Sequence, residues 1–215
     1  MDRSRIAIVI PALNESSTIT DVVIGIGAYG IPIVVDDGSS DDTANLAKLA
    51  GAYVVSHEKN MGYDSALNTG FKLAFELGSE IIITADADGQ HDPSLITRFI
   101  NSIDAGFDVV IGIRSRRQRF AEHMFAWYSN VIYGIRDPLC GMKAYRTSVY
   151  NKQGYFDSCG SIGTQLAIFA AKNNYRIKQI NIKVRERNGK PRFGKLLEGN
   201  YKIIRAMLQT MLLAK

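Results

Sequence analysis

The sequence predicts an α/β fold: one domain over residues 1–215, with a mostly parallel sheet and helices on both faces. Three observations carry that expectation. Short β-branched apolar runs alternate with helix-length amphipathic segments through the first half of the chain, as in sheets built by strand–helix–strand crossovers. The chain, at 215 residues, is long enough for one sizeable core and contains no repeat, low-complexity tract or linker. Finally, polar clusters recur just after the apolar runs, at the edge where open parallel sheets bind ligands.

The elements follow in order. Residues 6–10 form a short apolar run typical of a buried parallel strand, and a helix over about 17–26 follows. Residues 31–35 are the next strand, and Ser39, Ser40, Asp41 and Asp42 offer N-caps for a helix reaching Ala50. Residues 53–56 read as a strand; 64–77 read as a helix with Ala66, Leu67, Phe71, Ala74 and Phe75 at helical spacing. A strand over 81–85 leads to Pro93, which suits the first turn of a helix ending near Ile103. Residues 109–113 are a fifth strand. The second half is less regular: helices over 120–133 and 162–172, a strand over 177–184, a basic loop over 185–194, and a terminal helix from Lys195 to about Leu213.

The polar clusters fall on this map at one edge. PALNE (residues 11–15) follows the first strand, Asp36-Asp37-Gly38 the second, residues 57–60 the third, Asp86 to Gln90 the fourth, and Arg114 the fifth. Independent loops have no reason to agree in this way, so the pattern points to one shared site. The fourth cluster is the most demanding, because Ile81-Ile82-Ile83 runs straight into Asp86, Asp88 and Asp92. Crowded carboxylates at the end of a buried strand repel one another and are costly to dehydrate. Extended backbone would send Asp86, Asp88 and Gln90 to one side. Three oxygen-bearing side chains then suit a hard divalent cation, Mg²⁺ or Mn²⁺, shared with substrate phosphates. The competing use of such acids is to cap the helix that follows, which Asp92 is placed to do.

GIGAYG (residues 25–30) matches a dinucleotide fingerprint only in spelling. A fingerprint follows a strand and opens a helix; this segment ends a helix and precedes a strand, so its glycines stop and turn the chain.

PALNE, VVDDGSSDDT (34–43), NMGYDSALNTG (60–70) and DADGQHDP (86–93) occur in order and at suitable spacing. Together they resemble the family 2 glycosyltransferases with a GT-A fold. DPLCGMKAYR (137–146) is similar to the D-x-x-S-G-x-x-A-x-R segment of the branch that includes dolichyl- and polyprenyl-phosphate glycosyltransferases, and RNGKPRFGK (187–195) resembles that branch's Arg/Gly/Lys loop. The resemblance implies a GT-A-like, Rossmann-related fold and an inverting transfer of a sugar from a nucleoside diphosphate. Pro11, Leu13 and Glu15 would lie along the base and ribose, with Asp36, Asp37 and Asn60 close by. Asp86 would face the ribose and sugar, and Asp88 with Gln90 would complete the metal site. Asp137 is implied as the acceptor-side acid. Arg114, Arg187, Lys190, Arg192 and Lys195 would touch phosphates of donor or acceptor.

The chemistry fits these residue types. Breaking the bond from an anomeric carbon to a nucleoside diphosphate sheds negative charge onto the leaving phosphates, which a divalent ion and nearby Arg or Lys stabilise. A lipid phosphate acceptor is already charged near neutrality, its second pKa being about 6, and needs little help from a base. A sugar hydroxyl acceptor, as in cell-surface polysaccharide synthesis, would call on Asp137. Two departures bear on this choice. Cys140 stands where the branch has Ser, and the helix that often carries an acid in the family holds Gly163-Thr164-Gln165, which cannot supply a base.

Charge divides the chain: residues 1–110 carry 6 Lys and Arg against 16 Asp and Glu, and residues 111–215 carry 20 against 5. An acidic half would hold a cation and a basic half would meet an anion. Arg114, Arg116, Arg117 and Arg119 precede Phe120, Phe125, Trp127 and Tyr128, and Ile203, Ile204, Met207, Leu208, Met211 and Leu212 share a helical face flanked by Lys202 and Arg205. These suit peripheral docking on an anionic, cytoplasmic membrane face, or, for the terminal helix, packing on the core. No signal peptide is visible and no apolar run reaches the ~18 residues of a spanning helix. Cys140 and Cys159 fit neither a zinc site nor a redox pair, as expected of reduced thiols in a cytosolic protein. Nucleic-acid binding is disfavoured because no such module appears and it leaves the acidic site unexplained. A sugar nucleotidyltransferase would open with a Gly-rich basic loop, which PALNE is not. A non-catalytic sugar-nucleotide-binding or scaffolding domain would not need Asp86, Asp88 and Asp137 together.

Overall fold

The computed structural model describes residues 2–117, 119–183 and 196–212. Seven strands form one sheet. The first half is the expected alternation: β1 (Ile6–Ala12), α1 (Ile19–Gly27), β2 (Ile31–Asp36), α2 (Thr43–Leu49), β3 (Tyr53–Ser56), α3 (Tyr63–Glu76), β4 (Ile81–Thr84), α4 (Leu95–Asp104) and β5 (Val109–Arg114). The second half holds α5 (Phe120–Tyr133), β6 (Lys143–Arg146), α6 (Thr147–Gln153), α7 (Gln165–Lys172), β7 (Ile177–Ile182) and α8 (Leu196–Leu212). Two of these elements, β6 and α6, were not read from the sequence. Lys-Ala-Tyr-Arg is too short and too charged at its ends to stand out as a strand.

The strand order is β3-β2-β1-β4-β6-β5-β7. All pairings are parallel except those of β6, which runs antiparallel between β4 and β5. The fold class is therefore the one expected, with one reversed strand in its middle. The chain steps outward from β1 to β2 and β3, then crosses to β4 on the other side of β1. The order thus reverses between β1 and β4, and ligands bind at such a switch point, beyond the carboxyl ends of the strands.

Alternation along β1 feeds two cores. Ile6, Ile8 and Ile10 face the side covered by α1, α2 and α4, with Ile19, Val23, Ala47, Ile96 and Phe99. Ala7 and Val9 face α3, α6 and α7, with Leu67, Phe71, Val149 and Leu166. Small residues set the spacing on this second side: a Cβ on Gly70 would collide with Val9 Cγ1. A third, smaller core joins α5 to α8 through Ala121, Phe125, Ile203, Ala206 and Met207. Ile203 and Met207 thus take the core-packing alternative read for the terminal helix, and Phe125 is buried with them, which corrects its reading as part of a headgroup-facing surface. Among the described residues no helix is long and apolar enough to cross a membrane.

Gly70→Ala is expected to force α3 away from β1 and to destabilise the fold by about 1–3 kcal/mol. Urea denaturation reads this directly, and an unchanged midpoint would contradict the packing described.

Candidate active site

The loops at the carboxyl edge are locked to one another by side chains from the motifs. Pro11 lies buried near the end of β1, opposite Val35 of β2. On its other flank, pairing with β4 has already ended at Val9 and Thr84. Proline has no N–H to leave unpaired where a neighbour departs, and the crevice opens there. Leu13 is partly exposed beyond it. Asn14 adopts φ 53, a left-handed conformation that asparagine tolerates. Its side chain accepts a hydrogen bond from Ser40 N at 2.8 Å. Glu15 is buried; its N–H donates to Thr43 Oγ1 at 2.9 Å, and its Oε2 accepts from Thr18 Oγ1 at 3.2 Å. Thr18 Oγ1 also lies 2.8 Å from Ala87 O, which ties the first loop to the fourth across the crevice.

Asp36 and Asp37 end β2, both buried. Asp36 Oδ1 accepts from Ser39 N at 3.3 Å. Asp37 is more heavily engaged: Oδ1 lies 2.7 Å from His57 Nδ1 and accepts from Met61 N at 2.9 Å, while Oδ2 accepts from Gly62 N at 2.8 Å. It thereby fastens the entry to α3, where Asn60 Oδ1 also accepts from Gly62 N. His57 Nε2 reaches Thr69 Oγ1 at 2.9 Å, so the third loop is held from both ends of the imidazole.

The acidic cluster differs in one respect from the sequence reading. Its backbone is not extended. β4 stops at Thr84, and the chain turns through Ala87 and Asp88, with Gly89 at φ 69. Burial of Ala87 leaves Asp86, Asp88 and Gln90 all partly exposed. Asp88 Oδ1 accepts from Gln90 N at 3.1 Å, and Asp92 Oδ1 accepts from Ser94 N at 3.0 Å at the entry to α4. Asp86 Oδ2 lies 3.2 Å from His91 Nε2. No group of three His, Cys, Asp or Glu converges into a preformed metal cage among the described residues. Two accessible carboxylates with an amide beside them are the donor set of an ion that completes its shell with water and substrate phosphates, as Mg²⁺ and Mn²⁺ do. The residues therefore fit such an ion.

The second half reaches this edge through β6. Lys143 N donates to Thr84 Oγ1 at 3.1 Å, and Thr84 Oγ1 donates to Gly141 O at 2.6 Å. Gly141 passes close to Asp86: a Cβ there would displace the Asp86 carboxylate from its position. Lys143 is buried, with Nζ donating to Gly163 O at 2.9 Å. Burial lowers the Lys143 pKa, against the pull of Cys140, Asp137 and Asp86. Nothing in the sequence marked this buried amine, which lies within electrostatic reach of Asp86 and Asp137. The other half of the grip on Gly163 is Asp64, which accepts from Ile162 N at 3.1 Å and Gly163 N at 2.6 Å. Asp157 gathers Cys159 N and Gly160 N at 2.9 and 2.8 Å, and Gln165 Oε1 accepts from Ser158 N at 2.7 Å. Gln165 is thus spent on holding its own loop.

Arg114 and Asp137, assigned separately from the sequence, face each other. Arg114 Nε and Nη2 both donate at 2.9 Å to Asp137, whose remaining contact is Arg114 N at 3.0 Å. The Asp137 side chain is 1% exposed. Burial alone would lower the Arg114 pKa; the hydrogen bonds and charge of Asp137 outweigh it and raise the pKa instead. Cys140, buried beneath them, is pushed up to about 12 by burial and by Asp137; Cys159 is pushed up to about 11 by burial and Asp157. Both shifts run opposite to that of an activated thiol. Arg187, Lys190, Arg192 and Lys195 lie outside the described residues.

An open sheet with its polar groups gathered at a switch point, and a reversed strand bringing a second set of charges to the same edge, is a GT-A architecture. Residues 7–126 match the family described as glycosyl transferase family 2, and the chain belongs to that family. It is a glycosyltransferase. A UDP-N-acetylglucosamine–dolichyl-phosphate N-acetylglucosaminyltransferase of Methanococcus voltae is 28% identical, over 83% of this chain and 84% of its own. An undecaprenyl-phosphate 4-deoxy-4-formamido-L-arabinose transferase of Edwardsiella ictaluri is 29% identical, over 97% and 70%. The fold is shared with glucosyl-3-phosphoglycerate synthase of Mycobacterium tuberculosis, solved with Mn²⁺, UDP and glucosyl-3-phosphoglycerate. That match has a TM-score of 0.73 at 22% identity and covers 96% of this chain and 78% of that one.

The Asp64 carboxyl is pushed up to about 6 by burial and by Asp157, against its two N–H donors. A carboxyl that binds its proton more tightly when folded stabilises the fold fully below its unfolded value, 3.8, and loses that contribution as pH rises through about 6. The stability difference between wild type and Asp64→Asn is therefore expected to move against the wild type from about pH 4 to pH 6. Urea midpoints across that window check this; a constant difference would contradict it.

Proposed function

We propose that the chain transfers a sugar from a nucleoside diphosphate donor to a polyprenyl phosphate, by direct displacement with inversion, at a membrane surface. The observation that carries the choice of acceptor is the state of the acceptor-side acid. Asp137 is buried and held by both arms of the Arg114 guanidinium, and Gln165 is bound to Ser158. A hydroxyl acceptor needs a base that can take its proton. A phosphate monoester arrives already ionised. The names of the two relatives above, each carrying a polyprenyl-type phosphate, support the same reading.

In this reading Pro11, Leu13 and Glu15 border the base and ribose, with Asp36, Asp37 and Asn60 framing the pocket from β2 and the entry to α3. Mg²⁺ or Mn²⁺ held by Asp86 and Asp88, with Gln90 beside them, would neutralise the charge that develops on the departing diphosphate. The missing Cβ of Gly141 leaves room for the Asp86 carboxylate, which would face the donor sugar. Asp137 positions Arg114, and Arg114 with the basic residues of 187–195 meets phosphate. The membrane is met by the exposed Phe120 and Trp127 of α5 and Leu208 and Leu212 of α8, beside Arg116, Lys202 and Arg205. Each basic residue near an anionic surface contributes about 1 kcal/mol.

The test is a donor panel with Mn²⁺, scored by nucleoside diphosphate release with and without polyprenyl phosphate. Release should rise with the lipid, and Asp88→Asn should lower kcat at least about a hundredfold. Release stimulated by sugar hydroxyls and not by the lipid would favour polysaccharide synthesis instead; full activity in Asp88→Asn would remove the metal role. Sedimentation with vesicles containing anionic lipid should carry the protein down at low salt, and Trp127→Ala should weaken this. Protein left in the supernatant would argue against membrane docking.

A further inference from the structure

Glu122 is a buried carboxylate that the reaction does not use. It lies in the first turn of α5, its side chain 7% exposed. Oε2 is 3.3 Å from Arg114 Nη2, and Oε1 is 3.8 Å from Arg119 Nη1. Arg114 continues to Asp137, so charges alternate along Arg119, Glu122, Arg114 and Asp137. Among the described residues Oε2 makes no hydrogen bond, although no solvent reaches it. Arg117, whose Nη2 donates to Arg136 O at 2.6 Å, likewise has a buried Nε with no acceptor among those residues.

Such an arrangement is costly as pure scaffolding. A buried carboxylate without full hydrogen bonding forfeits much of what an ion pair returns. Its evident effect is on its neighbours. Two guanidiniums at one helix start repel each other, and a carboxylate between them lets both stay. Clustered guanidiniums at a helix N-terminus are a phosphate site, where charge-assisted hydrogen bonds are strongest.

We propose that Glu122 is a positioning residue for the acceptor phosphate. It holds Arg114 and Arg119 together at the start of α5, so that a phosphate monoester meets both guanidiniums already in place. The inference rests on the acceptor reading given above. The site stands at the root of the helix that exposes Phe120 and Trp127 on its other face.

Trp127 is the only tryptophan in the chain and lies on the same helix, so its emission reports binding without turnover. The probes are a short-chain prenyl phosphate, the corresponding prenol, and inorganic phosphate. Wild type should bind the prenyl phosphate more tightly than either of the others. Glu122→Gln, which keeps the shape, should weaken prenyl phosphate binding at least about tenfold and leave prenol binding unchanged. Glu122→Asp, which keeps the charge, should recover part of the loss. A purely structural residue would not separate phosphate from alcohol in this way. Equal or tighter prenyl phosphate binding by Glu122→Gln would overturn the inference and leave the acceptor reading standing. Wild type that binds prenyl phosphate no better than prenol, or no better than inorganic phosphate, would overturn both.

Discussion

The site depends on one constraint, the insertion of β6 antiparallel between β4 and β5. A purely parallel sheet would set β5 beside β4 and leave the segment 137–143 elsewhere. With β6 reversed, its first residues arrive at the edge where β4 ends, and Thr84 Oγ1 joins them by donating to Gly141 O and accepting from Lys143 N. Gly141 then passes so close to Asp86 that a Cβ there would push the carboxylate aside. Asp86 and Gly141, about a quarter of the chain apart in sequence, become neighbours through this one strand.

Electrostatics explains why the arrangement is stable without a ligand. The acidic loops of the first half do not face solvent as a bare cluster. Asp37 is saturated by His57 and two backbone N–H groups. Asp86 has His91 within hydrogen-bonding distance and the buried Lys143 amine in its field. Asp137 is closed by Arg114. Asp86, Asp88 and Gln90 are partly exposed at the same edge. Fixed charges already paired in this way need little rearrangement when a substrate's charge develops, which is the condition for electrostatic catalysis.

Much of the fold was legible because its signals are local. The strands before residue 114 are rich in Ile and Val, and the polar residues after them stand out against that background. The reversed strand was hidden because Lys143 and Arg146 bound it, and a buried lysine contradicts every burial expectation drawn from composition. Phe125 was misplaced for a related reason: an aromatic-rich helix reads the same whether its stripe faces lipid or a partner helix, and only the packing of α8 on α5 separates Phe125 from Trp127. Glu122 and Asp64 carry no sequence signal beyond being acids on helices. Their roles come from what lies opposite them, Arg114 and Arg119 in one case and the Ile162–Gly163 backbone in the other. Asp86, Asp88 and Gln90 lie at one edge, but a turn, not the extended backbone expected, carries them.

The central claim is that the edge shared by β1, β4 and β6 is where an activated sugar is held while its diphosphate departs. A crystal structure with nucleoside diphosphate sugar and Mn²⁺ tests it most directly. The account predicts the ion on Asp86 and Asp88 with the diphosphate in the β1–β4 crevice, and the sugar directed toward Gly141 and the Arg114–Asp137 pair. Density for the nucleotide at any other edge of the sheet, with that crevice empty, would contradict it.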